Sequence, residues 1–266
     1  MAYLAIVTDE ISGDPETAVE LGIEWGITHF EVRSVASGRV PKVSDRDWGR
    51  LVRLGRRQEI QWTAISPGFF KVPLGDPSVQ EVLKRDLDRA IQLAQEMGIP
   101  KMIFFAFRKD DRPRKEAVRE ASAILAECAD RCAEAGLLFV LENEHVCWGD
   151  TGRHALEILE AIGRSQARLN WDPCNCVWAG GDPHEEFEAV RPRMAHLHIK
   201  DTALDRWGEF RGAPIGMGVV GWPELLPRLL RSGWNGPYTV ETHYGPKVAA
   251  SRECTERLRR LLVASL

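Results

Sequence analysis

Residues 101–143 read KMIFFAFRKDDRPRKEAVREASAILAECADRCAEAGLLFVLEN. The first seven and the last seven residues are short apolar runs without strict alternation, as expected for strands buried on both faces of a parallel sheet. Between them, residues 114–135 show the pattern of a long helix, and Gly136 marks its end before the second strand. The stretch therefore predicts a β-α-β unit.

The same alternation extends along the whole chain. A doubly wound open sheet is the alternative, but it usually has a Gly-rich phosphate turn after an early strand, and DEISGD (residues 9–14) lacks G-x-G-x-x-G. Eight strand–helix pairs in a chain of this length favour a single (β/α)8 TIM barrel in one domain, residues 1–266. The eight apolar runs are YLAIVT (3–8), HFEVRS (29–34), WTAIS (62–66), KMIFFAF (101–107), LLFVLEN (137–143), ARLNWD (167–172), AHLHIK (195–200) and PYTVET (237–242).

The composition narrows the class of protein. A net charge of -4 without a basic stripe gives no support for nucleic-acid binding. No signal peptide and no apolar run near the length of a membrane span is visible. We therefore expect a soluble cytoplasmic protein with reduced thiols, no membrane or nucleic-acid partner and a small-molecule substrate, and a homo-oligomer stays open.

Polar residues stand where four consecutive strands are predicted to end. In a TIM barrel such positions form the active site. They carry Glu142, Asp172, the pair His196 and His198, and Glu241. A single acid there is more often a cap or half of an ion pair, but several converging carboxylates repel one another unless a cation lies among them. Oxygen ligands with one imidazole suit Mn²⁺, Co²⁺ or Mg²⁺, and Zn²⁺ is a further candidate.

A Cys-x-Cys pair offers a competing interpretation of the stretch LNWDPCNCVWAGGDP (residues 169–183). Cys174 and Cys176 could be soft metal ligands or a redox pair, or they could be small residues in a tight turn beside Asp172. Thiolate zinc sites usually draw on two separated pairs of Cys or His, which favours the second interpretation.

Several motifs resemble the sugar phosphate isomerase/epimerase family of the xylose-isomerase-like TIM barrel superfamily. The motifs are LENEH (141–145), NWDPCNCVWAGGDP (170–183), HLHIKD (196–201), GMGVVGW (216–222) and GPYTVET (236–242). The resemblance implies one divalent ion, with Mn²⁺ as the first candidate, held by Glu142, Asp172, His198 and Glu241. It assigns the ligand role to His198 rather than to His196.

The resemblance also implies a reaction. It is proton transfer beside a metal-polarised carbonyl, through an enediolate of a ketose, sugar phosphate or related keto compound, with Glu142 and Glu241 as catalytic acid and base. The outcome would be an epimer or an aldose–ketose isomer. A dehydratase (lyase) acting on a keto-inositol or keto-acid substrate is the alternative.

Five residues are candidates for substrate binding. Arg33 and Lys71, in segments that resemble a subgroup of the superfamily, suit an anionic group, although salt bridges of Arg33 with Glu31 or Asp9 would explain them equally well. Arg211 lies in EFRGAPIGMG (209–218), a flexible-looking segment expected to act as a lid. The full set of candidates is Arg33, Lys71, Asn175, Lys200 and Arg211.

Two functions from other classes compete with an isomerase. The superfamily includes metal-dependent apurinic endonucleases, which use extra histidines on strands three and four. Here those runs end AISPG and FFAFRK, without histidine. A non-catalytic binding barrel is disfavoured because all four ligand positions are filled.

Overall fold

A computed structural model describes residues 3–265. Its strands are β1 (Tyr3–Val7), β2 (His29–Val32), β3 (Ser34–Val35), β4 (Gly38–Arg39), β5 (Gln61–Ile65), β6 (Lys101–Phe104), β7 (Leu138–Glu142), β8 (Arg168–Trp171), β9 (Met194–Ile199), β10 (Asp201–Leu204), β11 (Phe210–Ala213) and β12 (Pro237–Val240). Eight of them form a closed parallel barrel in the order β1-β12-β9-β8-β7-β6-β5-β2. The predicted (β/α)8 barrel is confirmed. That residues 1–266 form one domain stays a prediction.

Helices follow the barrel strands on the outside. They are α1 (Thr8–Ile11), α2 (Pro15–Glu24), α3 (Asp45–Gly55), α4 (Ser78–Glu81), α5 (Leu87–Met97), α6 (Arg114–Glu134), α7 (Gly152–Ile162), α8 (Pro173–Trp178), α9 (Pro183–Val190), α10 (Trp222–Arg231) and α11 (Lys247–Ala264). A π-helical turn, Val82–Asp86, joins α4 to α5, and a 3₁₀ turn, Arg191–Arg193, follows α9. None of the described helices is long and apolar enough to cross a membrane.

Alternation along β7 separates the two faces of the barrel wall. Phe139 and Leu141 belong to the large apolar cluster, whereas Val140 joins Ala64 and Ile103 in a separate small cluster. Residues two apart on a strand share a face, so Glu142 lies on the same face as Val140. The carboxylate therefore belongs to the face of β7 that carries the small cluster.

Two short antiparallel hairpins, β3–β4 and β10–β11, were absent from the sequence prediction. The second includes part of the segment 209–218, which was expected to be a flexible lid. Its strand β11 pairs with β10 from Asp201 opposite Ala213 to Leu204 opposite Phe210. These strands have four residues or fewer and do not form apolar runs, which were the signal for the barrel strands.

Asp201 organises the loop that follows this hairpin. Its carboxylate accepts hydrogen bonds from the backbone N–H groups of Gly216, Gly218 and Val220 at 2.8, 3.0 and 3.3 Å. A Cβ on Gly218 would lie 2.2 Å from a carboxylate oxygen of Asp201. The G-x-G motif is thus required for the loop to approach the end of β9.

Candidate metal centre and active site

Four ligand-type side chains meet at the carboxyl ends of four neighbouring barrel strands. Glu142 ends β7, Asp172 follows β8, His198 lies near the end of β9, and Glu241 follows β12. Each offers one donor atom, and these atoms all lie within 4.8 Å of one another. All four side chains are buried. This is the set of residues expected from the sequence to bind the ion.

Asp172 has two structural tasks. One carboxylate oxygen accepts the N–H of Asn175 at 2.9 Å and so caps helix α8, whose first residue is Pro173. The other oxygen lies 2.7 Å from Nζ of Lys200. Because the first bond fixes the side chain, the second oxygen points toward Lys200 and the cluster.

Buried amides hold the strand ends in register. Asn143 donates to the carbonyl of Asp172 and accepts its N–H, both at 2.8 Å. Asn170 donates to Glu142 at 3.1 Å. Asn175, a substrate-binding candidate, is fully buried and donates to the carbonyl of Asn143 at 2.9 Å. In this structure its amide therefore supports the ends of β7 and β8.

Glu31 orients His198. Its carboxylate lies 2.9 Å from Nε2 of His198 and 2.9 Å from Nε2 of His196, and all three side chains are buried. Burial alone would raise the pKa of Glu31, but the two imidazoles lower it to about 2. With Nε2 donating to Glu31, Nδ1 of His198 is the nitrogen that faces Glu142, at 3.3 Å. The sequence had offered Glu31 only as a salt-bridge partner of Arg33.

We expect Glu31→Gln to weaken divalent-metal binding by about 10- to 100-fold, because a neutral amide no longer fixes the tautomer of His198. Competition with a metal indicator dye measures the change. The control is Glu24→Gln, the same substitution at an exposed position of α2. Equal affinities for the two variants would show that Glu31 has no part in ligand orientation.

Lys200 lies between two of the carboxylates. Its ammonium is 2.7 Å from Asp172 and 2.8 Å from Glu241, and it is buried. Burial alone would lower the pKa of Lys200, but these two carboxylates raise it well above the usual value. Lys200 was expected to bind substrate; here its charge stabilises the converging acids.

Glu241 has more cationic neighbours than Glu142. One oxygen accepts from Arg33 at 2.5 Å and lies 2.9 Å from Nε2 of His243. Burial would raise the pKa of Glu241, but His243, Lys200 and His198 bring it well below the usual value. For Glu142 the effect of burial prevails, and its pKa is raised. The two proposed catalytic glutamates thus have different electrostatic surroundings.

A cavity of about 310 Å³ opens above the cluster, and both glutamates line it. Arg33, one substrate-binding candidate on its wall, is paired with Asp9 at 2.9 Å and Glu10 at 2.6 Å as well as with Glu241. The residues around the cavity are Asp9, Arg33, Arg39, Ser66, Lys71, Phe105, Glu142, Glu144, Glu241 and His243.

Lys71 and Arg211 have different positions. Lys71 lines the cavity, pairs with Glu144 at 2.6 Å and stands over the ring of Phe105. Arg211 is exposed on β11 and pairs with Asp205 and Glu209 of the same hairpin. It is outside the set of residues that line the cavity, so a role for Arg211 would require movement of the hairpin.

The cysteines do not lie in a loop, as the sequence had suggested, but in helix α8, because Asp172 and Pro173 form a strong helix start. Cys174 and Cys176 are both buried, and burial raises the pKa of both thiols. The described residues that group as possible metal ligands include no cysteine.

The donor set fits a divalent cation. The carboxylates of Glu142, Asp172 and Glu241 converge with the imidazole of His198, and the ammonium of Lys200 contacts two of these carboxylates. Oxygen donors with a single nitrogen suit Mn²⁺, Mg²⁺, Co²⁺ or Zn²⁺.

Comparison with known proteins identifies the family. The family model described as xylose isomerase-like TIM barrel matches residues 19–261. The chain belongs to this family. L-ribulose-5-phosphate 3-epimerase UlaE of Escherichia coli, a curated relative, is 25% identical over 213 residues, which cover 75% of this chain and 72% of UlaE. These matches confirm the family resemblance and an enzyme of the isomerase or epimerase type.

Solved structures of low sequence identity share the fold. The IOLI protein with a zinc atom has a TM-score of 0.83 and 17% identity, covering 99% of each chain. The probable 3-DHS dehydratase AsbF from Bacillus anthracis has a TM-score of 0.81 and 16% identity, covering 97% of this chain and 98% of AsbF.

Several residues of the cavity were missed by sequence reasoning. His243 is two residues from Glu241, and Glu144 is two residues from Glu142, so proximity to the strand ends was an available signal. Arg39 gave no such signal, because it lies five residues beyond the end of the second predicted strand.

Proposed function

We propose that this protein is a divalent-metal-dependent epimerase or isomerase of a ketose, a sugar phosphate or a related keto compound. The observation that carries the proposal is the approach of two carboxylates to one centre from separated walls. In the barrel order, β7 and β12 are three strands apart out of eight, yet a donor atom of Glu142 lies within 4.8 Å of one of Glu241.

Four residues would bind the ion, and two of these would also transfer the proton. Glu142, Asp172, His198 and Glu241 would hold the ion, with Mn²⁺ as our first choice. When bound, the ion would polarise the substrate carbonyl and a neighbouring hydroxyl oxygen, which acidifies the adjacent C–H bond. One of Glu142 and Glu241 would take that proton as a carboxylate, and the other, as a carboxylic acid, would deliver its own proton to the same carbon. Removal on one face and return on the other inverts the carbon, which is epimerisation.

The curated relatives support a sugar substrate. UlaE is named as a 3-epimerase of L-ribulose 5-phosphate, a ketose with a proton next to its carbonyl. The same proton abstraction followed by loss of a neighbouring hydroxyl would give a dehydratase. Turnover products distinguish the two.

The test is a panel of ketoses, ketose phosphates, keto acids and inososes, incubated in D₂O with Mn²⁺-loaded protein. We expect solvent deuterium next to the carbonyl of at least one compound, together with its epimer or aldose isomer. Loss of water as the sole reaction would favour the dehydratase. The double variant Glu142→Gln/Glu241→Gln prepared in parallel is the control, and no exchange from any compound by metal-loaded protein would contradict the proposal.

Metal analysis distinguishes the proposed enzyme from an endonuclease and from a non-catalytic binding barrel. One divalent ion per chain is expected after purification in Mn²⁺. Several ions would favour an endonuclease, and none would favour a binding barrel.

A further inference from the structure

The cationic residues on the cavity wall differ in their partners. Arg33 is paired with three carboxylates, and Lys71 is paired with Glu144. Arg39 also lines the cavity, but no carboxylate of residues 3–265 lies within ion-pair distance of its guanidinium. Of these cations, only Arg39 has a charge without an anionic partner.

The guanidinium of Arg39 is held by neutral groups. Its Nε donates to the carbonyl oxygen of Ser66 at 3.0 Å, and one terminal nitrogen donates to the Ser66 hydroxyl at 3.1 Å. A guanidinium has five N–H donors, so three are left for another acceptor. The side chain is half-buried. Burial lowers the pKa of Arg39, and the nearby positive charge of Arg33 lowers it further. Nearby carboxylates offset part of this effect without contacting Arg39, and an anionic ligand would supply a direct partner for its free donors.

The backbone near Arg39 leaves room for its guanidinium. Arg39 is in β4 of the β3–β4 hairpin, where it lies opposite Ser34. Gly68 has φ +76, and a Cβ there would lie 2.6 Å from the guanidinium carbon of Arg39. A side chain at residue 68 would have to share this space with the guanidinium, so the glycine leaves room for Arg39 in its observed position.

Arg39 also lines a neighbouring cavity of about 310 Å³, between the hairpin and residues 67–86. The other cation on that wall, Lys42, already pairs with Asp86 at 2.8 Å and Glu81 at 3.2 Å. The second cavity therefore adds no further free positive charge.

We propose that Arg39 is a specificity-determining residue that binds an anionic group of the substrate, a phosphate ester or a carboxylate. The inference rests on the proposed function, because it places this group on the wall of the cavity that contains Glu142 and Glu241. The carboxylates of the cavity repel an anion, so the free donors of Arg39 are the groups that would hold the anionic end of the substrate. A neutral ketose would lack this contact.

Unreactive analogues test binding apart from turnover. We would measure by calorimetry the affinity of Mn²⁺-loaded protein for L-arabinitol, L-arabinitol 5-phosphate and L-arabinonate. At least one anion is expected to bind about tenfold or more tightly than the neutral polyol, the usual scale of a charge-assisted hydrogen bond. Tighter binding of the phosphate or of the carboxylate would show which of the two anionic groups the site binds.

Variants assign that preference to a residue. Arg39→Gln should abolish the advantage of the anion and leave the affinity for L-arabinitol unchanged. Arg46→Gln, the same change at an exposed position of α3, should keep the full advantage. Retention of the advantage in Arg39→Gln, or the absence of any advantage in the unmodified protein, would overturn the inference.

Turnover is measured separately, with L-ribulose and L-ribulose 5-phosphate in D₂O. Anion binding that depends on Arg39 but occurs without hydrogen exchange from any panel compound would contradict the proposed function and leave the inference standing. Hydrogen exchange without a preference for the anion would support the proposed function and overturn the inference.

Discussion

Glu142→Gln and Glu241→Gln are each expected to lower turnover by about a hundredfold or more, the usual scale for loss of a positioned acid or base. Glutamine nearly preserves the shape of glutamate, and its amide oxygen can still coordinate an ion, but it cannot accept a proton. Partial retention of metal with loss of turnover would therefore point to proton transfer. The measurements are initial rates on the best substrate of the panel and metal content of each variant.

The matched control is Glu224→Gln, an exposed glutamate of α10, which should turn over at the rate of the unmodified protein. If both site variants keep near-normal rates with metal bound, proton transfer by these glutamates is wrong.

Hydrogen exchange distinguishes an epimerase from an isomerase. If the two glutamates act on opposite faces, one variant should still exchange substrate hydrogen with solvent in one reaction direction while making no epimer. If one carboxylate carries the proton between neighbouring carbons, one variant should be inactive and the other only weakened by poorer metal binding. The readout is deuterium incorporation into recovered substrate.

Asp172→Asn and His198→Ala are expected to weaken metal binding by about a hundredfold or more, since replacing an outer-shell partner already costs about 10- to 100-fold. Asparagine is also a good helix cap, so Asp172→Asn should preserve α8 while removing the charge. Metal content after dialysis, together with circular dichroism, separates loss of the ion from loss of the fold.

Cys174→Ser and Cys176→Ser are the controls for this pair and should keep the metal. Both thiols are buried in α8, outside the cluster of donor atoms. If only the cysteine variants lost the metal, the Cys-x-Cys pair would be the metal ligand.

The barrel and the four ligand-type residues could be predicted from the sequence. Buried parallel strands are short apolar runs, and the end of such a run is a local property that can be located without tertiary structure. Applying the rule that TIM-barrel sites lie at strand ends selected Glu142, Asp172, the pair His196 and His198, and Glu241, and the family resemblance chose His198 from that pair. Their proximity in the structure agrees with that selection, whereas their roles in metal binding and catalysis stay predictions.

What the tertiary structure alone decided is which charges neutralise one another. Arg33 is 208 residues from Glu241 in the chain and meets it only because β1 pairs with both β2 and β12 to close the barrel. The same closure brings Glu31 to His198, which is 167 residues away. Residue type indicates that a side chain is charged, but whether that charge is already paired depends on contacts between distant segments. For that reason the sequence left open whether Arg33 and Lys71 bind an anion or are already paired, whereas the folded chain pairs both and, among residues 3–265, places no carboxylate within ion-pair distance of Arg39.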